Sequence, residues 1–254
     1  MAVSSLLLAA IVPYGPTVES LPTSPIPTAI AVQDEEVVDG KWHGFVEVGG
    51  TYTDGNTDVR SARVAAEGVR RWTDDRLTLR AGWNYAKNAG DLTDRNAQAT
   101  AQWDHFVDEK LYLNAIAGVQ TDSLADLDLR YWIGGGVGYQ FRDDEKMALK
   151  GEAGIVYFNE EFDGGGENDY ISARLAYDLD YQVSETTLFE QITEFFPSLE
   201  DAEDVYGRVD SKLSFLIQDN WTAFIQHIFN YDNTPADGAE RVDNRVVVGI
   251  RWTF

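Results

Sequence analysis

From Lys41 to Phe254 apolar and polar residues alternate with a period of two, the period of a β-strand whose two faces meet different surroundings. The final stretch states the pattern most plainly. Val246, Val248, Ile250, Trp252 and Phe254 share one face, and Val247, Gly249, Arg251 and Thr253 share the other. The same alternation gives Trp42, Val46 and Val48; then Ala62, Val64 and Ala66; then Leu77, Leu79 and Trp83; then Ala97 through Trp103. It continues through Leu111 to Val119, Leu129 to Phe141, Met147 to Tyr157, Ile171 to Tyr181, Val209 to Ile217 and Trp221 to Tyr231. The weakest stretch is Thr187 to Phe196, where Leu188, Glu190, Ile192 and Glu194 fall on one side. With the terminal stretch this predicts twelve strands.

The faces opposite the apolar sets carry the charge: Arg63, Arg80, Arg130, Lys150, Glu152, Arg174, Asp178, Arg208, Asp210, Lys212 and Arg251. A charge on a lipid-facing strand costs about 2–4 kcal/mol near the bilayer midplane, so this segregation suits a strand with lipid outside and a polar lumen inside. Tight connections are expected near Asp74, Asp108, Asp143, Glu185 and Asp219, and longer ones near Asp91, Asp126, Gly165, Asp201 and Ala236, the first turn at Gly55 being the exception. Aromatics collect at strand ends. Trp42, Trp72, Tyr139, Phe141, Tyr181, Trp221 and Trp252 are expected at one rim, and Tyr52, Tyr85, Tyr131, Tyr157, Tyr170, Phe196, Tyr206 and Tyr231 at the other. Two aromatic girdles are the mark of a barrel that crosses a bilayer. The predicted fold is therefore all-β, an antiparallel up-and-down transmembrane β-barrel of about twelve strands over residues 41–254. The competing reading is a soluble lipocalin-like barrel or sandwich, with the apolar face inward; the girdles and the terminal Phe254 argue against it.

Composition adds limits. The chain has 254 residues, 44% of them hydrophobic, a formal net charge of −23 and no cysteine. Disulfides and thiolate metal sites are excluded, and a chain this acidic has no basic patch for nucleic acid. No window reaches the ~18 consecutive apolar residues of a spanning helix. Leu6 to Val12 is an apolar run, followed by prolines and then Ala29-Ile30-Ala31. This reads as a secretory signal over 1–31, with 32–40 an acidic flexible lead-in. The expected location is the bacterial outer membrane, both termini periplasmic. Expected partners are outer-membrane lipid and lipopolysaccharide, the barrel-assembly machinery (for which Trp252 and Phe254 would be the insertion signal) and small solutes. No cofactor is expected.

The opening Trp42-x-Gly44 … Gly50-Thr51-x-Thr53-x-Gly55-Asn56-Thr57-Asp58, the middle Asp126-Leu127-Asp128-Leu129-Arg130-Tyr131 … Gly136-x-Gly138-Tyr139 and the ending Asp243 through Trp252-Thr253-Phe254 together resemble the salt-induced outer-membrane proteins, a bacterial β-barrel domain family of unknown function. The resemblance runs from about Trp42 to the terminus. The chain departs from it at Thr121-Asp122-Ser123-Leu124, where the family often carries an Arg-Asp-x-Phe-like segment. The resemblance implies an outer-membrane β-barrel and brings no substrate.

Three kinds of chemistry remain open. First, Glu47, Arg63, Glu67, Arg80, Arg130, Glu152, Arg174, Asp178, Arg208, Asp210 and Arg251 line the predicted lumen. They would form either a charge-sorting constriction or a set of salt bridges filling a narrow barrel. Second, Glu160, Glu161, Asp163, Glu167 and Asp169 surround Gly164-Gly165-Gly166. Asp163, Glu167 and Asp169 could hold Ca²⁺, but no twelve-residue EF-hand pattern is present and a solvated acidic rim is the preferred reading. Third, the three histidines, His43, His105 and His227, raise the question of an outer-face lipase. His105 sits beside Trp103 and Val107, His227 beside Ile225 and Phe229, and no Gly-x-Ser-x-Gly exists, so no triad is legible and no catalytic residue is assigned. The expected function is a passive, porin-like or salt- and envelope-stress-related channel. A non-transporting structural or adhesive barrel is the alternative, and an outer-membrane phospholipase the third reading.

Overall fold

The computed structural model describes residues 40–53, 59–123, 127–163, 165–201, 204–233 and 241–254. The signal over 1–31, most of the acidic lead-in, the Gly55-Asn56 turn, Asp126 and the Ala236 loop lie outside the described residues. The described chain forms twelve strands: β1 (Trp42–Thr53), β2 (Val59–Arg71), β3 (Asp75–Asn88), β4 (Asp91–Phe106), β5 (Leu111–Asp122), β6 (Leu127–Asp144), β7 (Met147–Phe162), β8 (Gly166–Ser184), β9 (Thr187–Pro197), β10 (Val205–Gln218), β11 (Trp221–Asp232) and β12 (Val242–Thr253). Each strand pairs antiparallel with its neighbour in sequence, and β1 pairs with β12 to close the barrel. Closure leaves no strand with an open edge toward hydrocarbon. The seam runs to the last residue: Gly44 N–H donates to the Phe254 carbonyl at 3.1 Å, and Phe254 N–H donates back at 2.9 Å. Both ends of the barrel chain therefore sit on one rim. Among the described residues no helix is long and apolar enough to cross a membrane; the strands cross instead.

The alternation resolves into an apolar outside and a polar inside. Ile133, Val246, Ile155, Val48 and Leu113 are among the exposed hydrophobics, while Glu47, Glu67, Asp104, Arg174 and Arg251 are buried. All eleven lumen-charge candidates lie on inward-facing positions, and the greasy face of β12 points outward.

Two expectations need correction. The connection near Asp91 is a two-residue turn, with Ala89 at φ 51° and Gly90 at φ 92°, the left-handed geometry of a tight hairpin. The glycine-rich segment is also short, because β7 and β8 pair continuously from Met147↔Tyr181 to Phe162↔Gly166. Length on that rim is carried by strand rather than loop there: β6 and β8 have 18 and 19 residues, against the roughly 9–11 that cross a bilayer. The second correction concerns the girdle. Trp42, Tyr139, Phe141, Trp221, Trp252 and Tyr131 are exposed as expected. Tyr170, Phe196 and Tyr206 instead turn inward and pack with Ile116, Trp132, Val156 and Phe158 in a cluster inside the lumen. Their parity shows why: Tyr170 shares a face with Ser172 and Arg174, and Tyr206 with Arg208.

Candidate functional site

The lumen divides into two halves of different character. The half near the β2–β3, β4–β5, β6–β7, β8–β9 and β10–β11 turns is filled. Arg76 and Asp104 are ion-paired at 2.7 Å with side chains 1% exposed, although Arg76 is only the second residue of β3. Phe106 and Tyr112 lie 5.1 Å apart, with the Arg71 guanidinium 3.6 Å over the Phe106 ring. The Tyr112 hydroxyl donates to Glu152 at 2.7 Å. This ring lies flat on the wall because Gly138 faces it; a Cβ there would fall inside the Tyr112 ring. On the other side of the barrel, Arg251 bridges Glu47 at 2.7 Å and Glu190 at 3.0 Å. Lys212 reaches Glu47 at 2.5 Å, and both cations stand over the Phe45 ring. Leu188, Ser214, Thr222 and Phe224 fill the remaining space and are buried. Together these side chains make a floor.

Above the floor lies a cavity of about 260 Å³ whose lining runs from Phe45, Glu47 and Lys212 up to Asp122, Asn230 and Asp243 near the other rim. None of Arg76, Asp104, Phe106, Tyr112, Leu188 or Phe224 lines it. Its walls carry both signs. Arg80 binds Glu67 at 2.5 Å and reaches Asp178 at 3.8 Å; Lys150 binds the same Asp178 at 3.2 Å. Arg174 is held by Glu152 at 2.6 Å and Glu194 at 2.9 Å, and Arg130 by Glu160 at 2.6 Å. Some links cross the lumen: Arg208 on β10 donates to Gln98 on β4 at 3.3 Å, and Arg245 on β12 meets Asp94 on β4 at 2.7 Å.

Of the charges singled out in the sequence, Arg80, Glu67 and Asp178 form one group and Arg174 and Glu152 another, while Arg251 and Glu47 belong to the floor. Among the described residues Arg63 does not pair with a carboxylate; it donates to Asn84 at 2.8 Å. The floor pair Arg76–Asp104 and the acids Asp94, Asp180, Glu190 and Glu194 were not singled out. Inward parity marks each of them, and only the cross-lumen distances show which are paired. Glu160, grouped in sequence with the acidic loop, is buried against Arg130 and accepts from the Tyr170 hydroxyl at 3.1 Å. Asp163, Glu167 and Asp169 are exposed on the β7–β8 hairpin, and among the described residues no group of three His, Asp or Glu could hold a metal.

The outer face corrects one point. His227 is not flanked by apolar residues alone, because the β10–β11 register places Ser211 directly across from it. Its Nε2 lies 3.0 Å from Asn244 Oδ1. Ser211 Oγ accepts from Gln191 Nε2 at 2.8 Å and makes no hydrogen bond to His227, so the three are not linked as a relay. His105 Nδ1 lies 3.1 Å from Asp75 Oδ1, and its ring stacks on Trp103 at 5.9 Å.

The family described as "Protein of unknown function, DUF481" matches residues 46–254. Among solved structures, the NanC porin in a rhombohedral crystal form superposes with a TM-score of 0.54 at 11% identity, over 83% of this chain and 100% of that one. The translocator domain of the autotransporter NalP from Neisseria meningitidis gives 0.46 at 9% identity, over 86% and 91%. The KdgM porin gives 0.45 at 11%, over 84% and 99%. At such identities the likeness to the NanC porin is one of fold, that of a closed outer-membrane barrel. No curated protein matches the chain.

Proposed function

This chain belongs to that DUF481 family, and from its lumen we propose that it is a narrow channel of the bacterial outer membrane for small solutes, shut at rest by its turn-rim floor. The observation that carries the reading is the cavity of about 260 Å³, lined by interleaved guanidiniums and carboxylates and ending on a layer of buried side chains. A lumen that served only as filler would pack to the density of a protein interior; this one keeps a polar space above a single closure. In this reading both termini are periplasmic, the loop rim faces outward, lipid and lipopolysaccharide surround the girdles, and salt or envelope stress is the setting in which passage is opened. The barrel is a conduit, with no role in catalysis.

Planar-bilayer recordings test it. Wild type should show rare, small current steps. Tyr112→Ala, which removes a ring from the floor, should raise step size and frequency severalfold. Silence from both proteins across a range of salt would retire the channel and leave the second reading, a non-transporting envelope barrel, which the sealed floor also supports. A lipid-hydrolysis assay with His105→Ala and His227→Ala controls should return the same background rate for all three proteins.

A further inference from the structure

We propose that the loop-side half of the lumen is a binding site for a small monocarboxylate that carries one ring. The inference deepens the channel reading and rests on it, in that it names what the cavity takes in.

One wall supplies the charge. Arg63 on β2 and Arg245 on β12 both line the cavity, as does Arg208 on β10. Arg208 and Arg245 both lie within electrostatic reach of Arg63. Against them stand Asp94, which holds Arg245 at 2.7 Å, and Asp210, which touches Arg208 at 3.4 Å and is occupied by Gln226 Nε2 at 2.6 Å. Glu47 also acts on Arg63 and Glu194 on Arg208, while Asp243, more than half exposed at the rim, lies 3.7 Å from Arg245. Among the described residues Arg63 is the one of the three that touches no carboxylate. Only its Nη1 is engaged, by neutral Asn84, and its buried Nε has no hydrogen-bond partner. A half-buried guanidinium without a carboxylate contact is costly, and a planar anion that accepts two parallel N–H bonds relieves that cost. A single negative charge matches Arg63; a dianion would meet Asp94 and Asp210.

Arg63 is also held in place. Asn84 Nδ2 donates to Asn96 at 2.7 Å, and Asn96 Nδ2 to Asp94 at 2.6 Å. A polar chain thus runs from Arg63 through β3 and β4 to Asp94 and across to Arg245. A preset cation pair of this kind binds an anion with little reordering.

The strands from β6 to β10 supply the ring surface. Trp132, Phe158, Phe196 and Tyr206, from β6, β7, β9 and β10, all line the same cavity. Phe158 and Phe196 meet edge to face at 5.4 Å, and Phe196 and Tyr206 lie 5.9 Å apart. Trp132 lies against the wall over Gly118, where a Cβ would fall inside its ring. Aromatic rings facing a polar lumen offer an apolar platform for the flat face of a ligand. The volume bounds the ligand: about 260 Å³ lies just below the roughly 300–1,000 Å³ of sites for drug-sized molecules. A single ring bearing one carboxylate satisfies charge, platform and volume together.

Isothermal titration of the folded barrel in detergent tests this, with folding checked for every variant by resistance to unfolding in sodium dodecyl sulfate without heating. The probes are benzoate, acetate (charge without ring) and benzyl alcohol (ring without charge). Wild type should bind benzoate at least about tenfold more tightly than either partial probe. Arg63→Gln should weaken benzoate by about tenfold and leave benzyl alcohol unchanged. Trp132→Leu should bring benzoate close to acetate while acetate itself holds. Folded wild type that fails to bind benzoate, or Arg63→Gln that binds it like wild type, overturns the site. The titration involves no flux. A silent bilayer with intact binding therefore retires the channel alone, and a conducting barrel without binding retires the site alone.

Discussion

The two halves of the lumen are built from the same residue types and do opposite things with them. On the turn side each cation is enclosed by carboxylates or rings. Arg251 has two acids and Phe45, and Arg76 has Asp104 with the rings of Phe106 and Tyr112. On the loop side Arg63 has a single neutral partner and faces open space. Charge in a barrel interior therefore does not by itself mean either a pore or a plug. Pairing and burial decide, and within one molecule they decide both ways. The floor spends its charges on each other, and the cavity leaves Arg63 against a neutral amide.

The largest effect should come from breaking the floor's pairing. Arg251→Ala leaves Glu47 with Lys212 alone and leaves Glu190 without its guanidinium. Both acids are buried, so the loss should be about 3–5 kcal/mol, the cost of stranding one side of a buried pair, read as a fall in the urea midpoint of the folded barrel. Conductance should rise in the same variant. A drop in stability without any change in conductance would separate the floor from the gate and break the comparison.

Next in size is a change of shape rather than charge. Gly138→Ala would place a methyl group where the Tyr112 ring lies, and the ring, not the strand, must give way. Overpacking of this kind costs about 1–3 kcal/mol. Displaced from the wall, Tyr112 should lose its hydrogen bond to Glu152, and current steps should become more frequent. The matched change on the loop side, Arg63→Gln, should cost less than about 1 kcal/mol, because no ion pair is lost. A large destabilisation by Arg63→Gln would show that the loop half is structural after all.

Much of this architecture was legible in the chain. Period-two alternation gave the strand number and the inward side of the eleven charges singled out, because in a membrane barrel the apolar face has nowhere to go but lipid. The inward turn of Tyr170, Phe196 and Tyr206 was also written in parity, yet an aromatic near a strand end resembles a girdle residue unless its face is tracked. The connection at Asp91 misled because Gly90 and Asp91 read as loop residues, whereas Ala89 and Gly90 alone complete a left-handed turn. What alternation could not show is pairing across the lumen. Arg208 and Gln98 are 110 positions apart, and Arg63 differs from Arg80 only in what stands opposite. Ser211 beside His227 was hidden for the same reason, since register between strands is not a property of either strand alone.

The smallest effect lies just below the floor, in the turn between β4 and β5. Asp108 Oδ1 accepts the backbone N–H of Leu111 at 2.7 Å and of Lys110 at 2.8 Å, and these two bonds, Leu111 first, hold its carboxyl below the ordinary carboxylate range. A carboxylate with a depressed folded pKa adds stability that is fully present above its unfolded value and fades as pH falls through the folded one. Asp108→Asn keeps an acceptor oxygen but removes the charge. It should therefore lower the thermal midpoint slightly at neutral pH, and the difference from wild type should close as the pH drops through the acid range. Lys212, Glu47 and the rest of the floor are untouched by the substitution, so its conductance should match wild type throughout. A gap that persists at low pH would show that the turn depends on the shape of the side chain and not on its charge, and a change in current would mean that the floor is coupled to the turns beneath it.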